Sequence, residues 1–372
     1  VIDDFKGVGR FQSVRLLNIE KIKYMKQTII SFLKFLVFLS VGSVILYFVF
    51  KSQNAAYIED CALKGIPEAE CSLMDKLITD FKSASPFWIL MVILAFMVSN
   101  LSRALRWQML VRPLGFEPKL SNAFWTVMLG YFVNLGIPRS GEFVRAGTFA
   151  KYEGIGAEKV MGTIVVDRIM DVICLAALML LTVFLAYDMI WGYLQENIKA
   201  DTLLKLMWFG LGAGVIGLGL FFAFRKRLEA LTIYQKIKSI LLGFLDGLQT
   251  VSKLKKPFLF LFHTVFIWAM YYIMTLFAMK SFAPTADLPL IAGLVVFVFG
   301  ALGIVIPSPG GMGTYHALVI AALTLYGVNG DDGFSLANIA FFSINIFCNI
   351  LFGILALILL PILNRDYQPV GG

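Results

Sequence analysis

Charge is scarce in this chain. Asp, Glu, Lys and Arg make up 15% of its 372 residues, 59% are hydrophobic, and mean hydropathy is +0.81. That balance excludes an ordinary soluble domain. Histidine is scarcer still, with only His263 and His316. The four cysteines fall in no Cys/His ligand spacing, so no metal is expected. Cys174 and Cys348 lie inside apolar runs, as packing residues do. Cys61 and Cys71 share one polar loop. They form a disulfide if that loop faces an oxidising compartment, and otherwise stay two free thiols. Gly-x-Ser-x-Gly, P-loop, metalloprotease and dinucleotide signatures are absent too. Loops on the outer side are short except 51–86, too little for an extramembrane catalytic domain. No cofactor is expected. The net charge of +8 is not a nucleic-acid signal, because basic residues of membrane proteins gather in cytoplasmic loops. No cleavable signal peptide is expected, since the first apolar run is too long and lacks a small-residue cleavage site.

Long apolar runs are what is present. A bilayer crossing takes about 20 residues. Runs of that length read at about 28–50, 87–109, 160–187, 202–224, 257–279 and 338–361. Two shorter pieces, 121–137 and 288–306, each run into Ile-Pro-x-x-Gly, at Ile137–Gly141 and Ile306–Gly310. Proline and glycine there stop a helix. Further helical pieces follow at 141–153 and 311–327, so each unit reads as a hairpin that enters the membrane and turns back. The expected fold is an all-α polytopic membrane protein with eight hydrophobic segments: six full spans and two re-entrant hairpins.

With the N-terminus inside and both hairpins re-entrant, the basic residues collect on one side. They cluster in 6–26, 103–119, 139–159 and 225–256, whereas the other side is acidic, as at Asp331 and Asp332. This asymmetry places both termini in the cytoplasm, with a bacterial cytoplasmic membrane as the expected site. The order span, span, hairpin, span then occurs twice, the second time upside down. That is an inverted repeat with halves at about 28–187 and 202–362 within one transmembrane domain, 28–362. Residues 1–27 read as a basic interfacial segment, and Met25 precedes the first span. Residues 225–256 read as an amphipathic helix on the inner leaflet, and 363–372 as a cytoplasmic tail.

The charges inside this apolar frame need a reason, because a charge at membrane depth is costly and faces a cavity or a partner. Arg103 and Arg106 sit three apart in "RALRW", on one helix face. "NLGIPRSGEFVR" brings Arg139, Glu142 and Arg145, and "VVDRIMD" brings Asp167, Arg168 and Asp171. One reading is a buried ion-pair network that fixes the hairpin. The other is an anion site in which spare arginines hold a phosphate while Glu142, Asp167 and Asp171 orient them. Both are expected together. The second hairpin, "PSPGGMGTYHA", carries glycines that let backbone approach a ligand, or pack a kinked helix tightly. His316 is expected to be a satisfied polar residue, with a protonation switch as the alternative.

These four motifs resemble the flippase-like transmembrane domain of the lysylphosphatidylglycerol synthase family, over about 86–362. By position, Arg103, Arg106, Pro138, Arg139, Gly141, Glu142, Arg145, Arg168 and Asp171 match the family pattern. So do the second turn's Pro309, Gly310, Gly311 and Gly313, beside Pro307. Where family members often carry an acid after the glycine-rich turn, this chain has His316. The sequence ends at "NRDYQPVGG" without the aminoacyl-transferase domain of bifunctional members, so lipid aminoacylation in cis is not expected. The resemblance implies a lipid translocator, not an enzyme. Its substrate would be a membrane lipid with a phosphate-containing headgroup, anionic or zwitterionic, or a lipid-linked precursor. The alternative is a membrane enzyme or accessory factor for lipid-linked sugar transfer, with Asp167 and Asp171 as its carboxylate pair. A homo-oligomer is left open.

Overall fold

The computed structural model describes residues 71–136, 140–189, 254–306 and 313–365, with scattered positions at 47–67 and at 192. The described elements are helical. Helix α1 is Leu73–Ser83, begun by Ser72, whose hydroxyl accepts the Asp75 amide at 3.2 Å. Helix α2, Pro86–Val111, opens with proline at its first position, where the missing N–H costs nothing. Helices α3 (Leu120–Gly136) and α4 (Gly141–Glu153) pack against each other, and α5 is Ala157–Leu185. Helix α6, Pro257–Lys280, is followed by the pair α7 (Leu290–Val305) and α8 (Thr314–Thr324). Helix α9 (Gly330–Phe341) continues through a π-helical segment, Phe342–Cys348, into α10 (Asn349–Leu363).

Four of these stretches are long and apolar enough to cross a bilayer: Pro86–Leu114, Ala157–Leu185, Pro257–Lys280 and Gly330–Leu363. They correspond to four of the six expected spans, the last beginning eight residues before position 338. The other two, 28–50 and 202–224, lie almost wholly outside the described residues, as do the segments 1–27 and 225–256. Outward faces stay apolar; Phe258 is 86% exposed and Phe184 79%, which suits lipid and not water. The paired helices α3, α4, α7 and α8 have 17, 13, 16 and 11 residues, each short of a full crossing.

The packing is reciprocal. Helices α2 and α6 run antiparallel down the centre, joined at one end by the Ser85 amide to the Ser281 carbonyl at 2.9 Å and near the other by Ser102 to His263 at 2.9 Å. The first pair lays α3 on α10, and the second lays α7 on α5. The first short helix of each pair thus packs on a long helix distant in sequence, while α4 packs on α5 and α8 on α9. Gly353 on α10 makes the first contact close, because a Cβ there would run into the Phe132 ring. Asn122 and Asn364 lock the same seam with reciprocal amide bonds of 2.9 and 2.7 Å.

At the end where α9 begins, Lys76 of α1 reaches Asp80 at 2.8 Å, Asp332 at 2.6 Å and Asp331 at 3.7 Å. Burial opposes its charge, but the hydrogen bonds it donates to Asp332 and Asp80 outweigh that and hold its pKa above the usual lysine value. A raised lysine keeps its contribution below the ordinary value and loses it only in alkali. Cys61 and Cys71 form a disulfide just before this clasp.

Candidate functional site

The helical spacing read from the sequence builds the site. Arg103, Arg106 and Trp107 share one face of α2, and Asp167 and Asp171, one turn apart on α5, meet them. Arg106 Nη2 bonds Asp167 Oδ1 at 2.6 Å and Asp171 Oδ1 at 2.8 Å. Arg103 Nη1 bonds Asp171 Oδ2 at 2.8 Å and Asp167 Oδ2 at 3.2 Å. Two arginines and two aspartates thus interlock inside the bundle, each carboxylate bridging both guanidiniums. Charge-assisted bonds of this kind offset the cost of removing four ions from water.

Two further arginines join without full satisfaction. Arg145 of α4 is buried, stacks on Trp107 with its Cζ 3.7 Å from the ring centroid, and reaches Asp167 Oδ2 only at 3.5 Å. Its Nε and Nη2 have no hydrogen-bond partner. Arg168 turns outward, with its side chain 40% exposed; it pairs with Glu142 at 3.0 Å and with Asp171 Oδ2 at 3.5 Å. Glu142 therefore belongs to Arg168, whereas the neighbouring Arg145 reaches past it to Asp167. Among the described residues the cluster holds four guanidiniums and three carboxylates, leaving one positive charge in excess. Arg139 and Pro138 lie outside the described residues.

The cluster borders a cavity of about 460 Å³. Arg103, Arg168 and Asp171 stand on its wall, and Phe96, Val172 and Phe297 make much of the rest apolar. Gly300, Ile304 and Tyr315 of the second pair face the same space, so both pairs of short helices and the central helices converge on it. Small residues hold each pair closed. A Cβ at Gly141 would strike the Gly130 carbonyl and Asn134, whose Oδ1 accepts the Gly141 amide at 2.7 Å. A Cβ at Gly303 would strike Tyr315 backbone, and Thr314 Oγ1 donates to the Gly303 carbonyl at 2.6 Å.

The remaining turn residues, Pro307, Pro309, Gly310 and Gly311, lie outside the described residues. Gly313 has φ +83°, which glycine adopts freely. His316 is buried at the start of α8 beside the Phe334 and Phe341 rings, with Nδ1 accepting the Gly313 amide at 3.4 Å. That is the position of a helix-start acceptor, which favours the satisfied-residue reading over the switch. Four participants were not singled out from the sequence. Trp107 carries Arg145, Thr264 and Tyr271 of α6 bond Arg106 at 3.3 Å and Arg103 at 3.1 Å, and Tyr131 of α3 lines the cavity. Thr264 and Tyr271 are seven residues apart, two helical turns, which is the signal that locates them on one face.

Comparison with known proteins now decides the family. The profile of the lysylphosphatidylglycerol synthase TM region matches residues 72–360. The chain belongs to this family. It is a multi-pass membrane protein by family and by its spans. All members of the interlocked cluster lie inside the matched region of this synthase TM family. Over 124 residues it is also 26% identical to a UPF0104 membrane protein of Methanocaldococcus jannaschii. That match covers 32% of this chain and 36% of the relative, so the chain spans about a third of the length of that protein.

Proposed function

We propose that this protein moves a phosphate-bearing lipid headgroup between membrane leaflets. The observation that carries the reading is the cavity of about 460 Å³, charged at Arg103, Arg168 and Asp171 and largely apolar over the rest of its wall, within a lipid-facing helical bundle. Taking about 30 Å³ per water, it holds on the order of fifteen waters, room for a headgroup but not for a headgroup together with two acyl chains. The tails would stay in the bilayer beside exposed Val172 and Val305, which belong to the cavity wall. The pairs α3–α4 and α7–α8 act as two re-entrant hairpins entering from opposite faces, one gating each side, in an inverted repeat. Reciprocal packing of the halves and the antiparallel α2–α6 pair support this symmetry. Both termini face the cytoplasm, on the basic side.

Arg168 is the phosphate contact, with Arg103 behind it. The excess positive charge supports this role, and so does the exposure of Arg168 toward the cavity. Asp167 and Asp171 orient the guanidiniums. As an enzyme the protein would need one of these carboxylates as a base, and in this arrangement both are bound by arginines. Reconstitution into liposomes with fluorescent phospholipids tests the proposal. Wild-type protein should accelerate leaflet exchange, and Arg168→Lys should fold yet lose most of it, because an ammonium lacks the two-pronged fork. No exchange by well-folded wild type, across anionic and zwitterionic lipids, overturns the translocator.

A further inference from the structure

The cavity wall carries two arginines and, among the described residues, one carboxylate. Asp171 is the carboxylate that lines it among the described residues, and neither of its oxygens is free. Oδ1 takes Arg106 at 2.8 Å, while Oδ2 takes Arg103 at 2.8 Å and Arg168 at 3.5 Å. A headgroup ammonium entering here meets two lining arginines and, among the described residues, one lining carboxylate already paired with three guanidiniums. Such a group would be desolvated beside like charge, which is unfavourable.

Among the described residues, the rest of the polar lining is uncharged. Tyr271 and Thr275 come from α6, Tyr131 from α3, Asn345 from the π-helical segment and Asn349 from α10. Trp268 adds an indole Nε1 that is buried without a hydrogen-bond partner. Amides, phenols and an indole N–H match hydroxyl groups, which both donate and accept. The π-helical segment matters here, because such segments reposition side chains at functional sites. The aromatic rings do not frame an open cage for a quaternary ammonium. Trp268 packs edge-to-face on Tyr271 at 5.9 Å and on Phe297 at 6.0 Å, so these rings touch one another and leave no gap between them for a cation.

We infer that the cavity selects a lipid whose single phosphodiester carries an uncharged, hydroxyl-bearing headgroup, a polyol or a sugar, and rejects amine and choline headgroups. This rests on the proposed lipid translocation and names its substrate class. One excess positive charge among the described residues suits one phosphodiester, and their neutral polar wall suits the hydroxyls beyond it.

Binding, measured apart from transport, tests it. The full chain in nanodiscs is titrated with phosphatidylglycerol, phosphatidylinositol, phosphatidylethanolamine, phosphatidylcholine and lysyl-phosphatidylglycerol. The first two should bind at least about tenfold tighter than the other three. Equal or tighter binding of an amine or choline lipid overturns the inference. Phosphatidylmethanol, with the same charge and no headgroup hydroxyl, should bind more weakly than phosphatidylglycerol; equal binding overturns the hydroxyl requirement. Glycerophosphoglycerol, the headgroup without tails, should compete poorly, and competition as strong as the lipid's reassigns the site to a soluble phosphodiester. Asn345→Asp places a free carboxylate on the wall away from the arginine cluster. With melting temperature held near wild type, it should bring phosphatidylethanolamine close to phosphatidylglycerol in affinity. Asn345→Ala, as a second folded variant, should narrow the gap between phosphatidylglycerol and phosphatidylmethanol. Unchanged selectivity in both overturns the placement. Selective binding without leaflet exchange would remove the translocator and keep the headgroup class, whereas exchange without selectivity would do the reverse.

Discussion

At the scale of single residues, the arginines divide into two kinds. Arg103 and Arg106 are spent on Asp167 and Asp171, with side chains 2% and 0% exposed. Asp167→Asn should therefore destabilise the protein strongly, by about 3–5 kcal/mol, because it strands buried guanidiniums. Thermal unfolding in detergent measures this, and a loss below about 1 kcal/mol would contradict the interlocked core. Arg145 is different, since its contacts are a ring face and one long ion pair. Arg145→Lys keeps the charge but loses flat stacking on Trp107. It should cost less stability than Asp167→Asn in the same unfolding experiment; an equal loss would mark Arg145 as a full member of the buried lock. Much of this was legible beforehand. Spacings of three and four placed Arg103 with Arg106 and Asp167 with Asp171 on common faces. Which acid each arginine would choose was not legible. Glu142 and Arg145 are three apart on α4, yet tertiary packing sends them to Arg168 and Asp167.

At the scale of elements, backbone proximity is the controlling feature. The two short-helix pairs were readable from the Ile-Pro-x-x-Gly breaks, and the helices end close to them, at Gly136 and Val305. What composition could not disclose is which glycines touch. Gly303 lies before the break and out of the glycine-rich turn, but α7 meets the Tyr315 backbone there. Gly303→Ala should force α7 and α8 apart and lower the melting temperature by several degrees. Gly147→Ala, also inside a helix but where an added Cβ meets nothing, is the matched control and should hold or slightly raise it. Equal effects would mean that α7 and α8 do not approach so closely. The π-helical segment was invisible in the sequence, because Phe342–Cys348 is as apolar as any continuing helix and its extra residue per turn leaves no pattern.

At the scale of the whole molecule, the four described spans were legible because apolar length alone dictates them. The disulfide between Cys61 and Cys71 resolves a choice that composition left open, since pairing depends on how the loop folds back. Orientation is still to be measured. Glu117 lies in the exposed connection between α2 and α3, and Asp287 in the exposed connection between α6 and α7. A cysteine at Glu117 should label only from the cytoplasm and one at Asp287 only from outside, using an impermeant thiol reagent on intact cells. Labelling from one common side would contradict the antiparallel run of α2 and α6.

The crossed seating of the halves bears on how the protein is made. Helix α3 emerges early in synthesis, but its seat, α10, is the last described helix, and Asn364 must return to Asn122. Until then the Phe132 face has no Gly353 to receive it. Nascent chains are thus left with an unsealed flank while all the residues between α3 and α10 are made. Quality-control proteases would see any chain stopped before α10 as unfinished, however completely its earlier helices had inserted. The same crossing allows repair. Two fragments divided between the halves, synthesised together, carry all the surfaces needed to find each other in the bilayer.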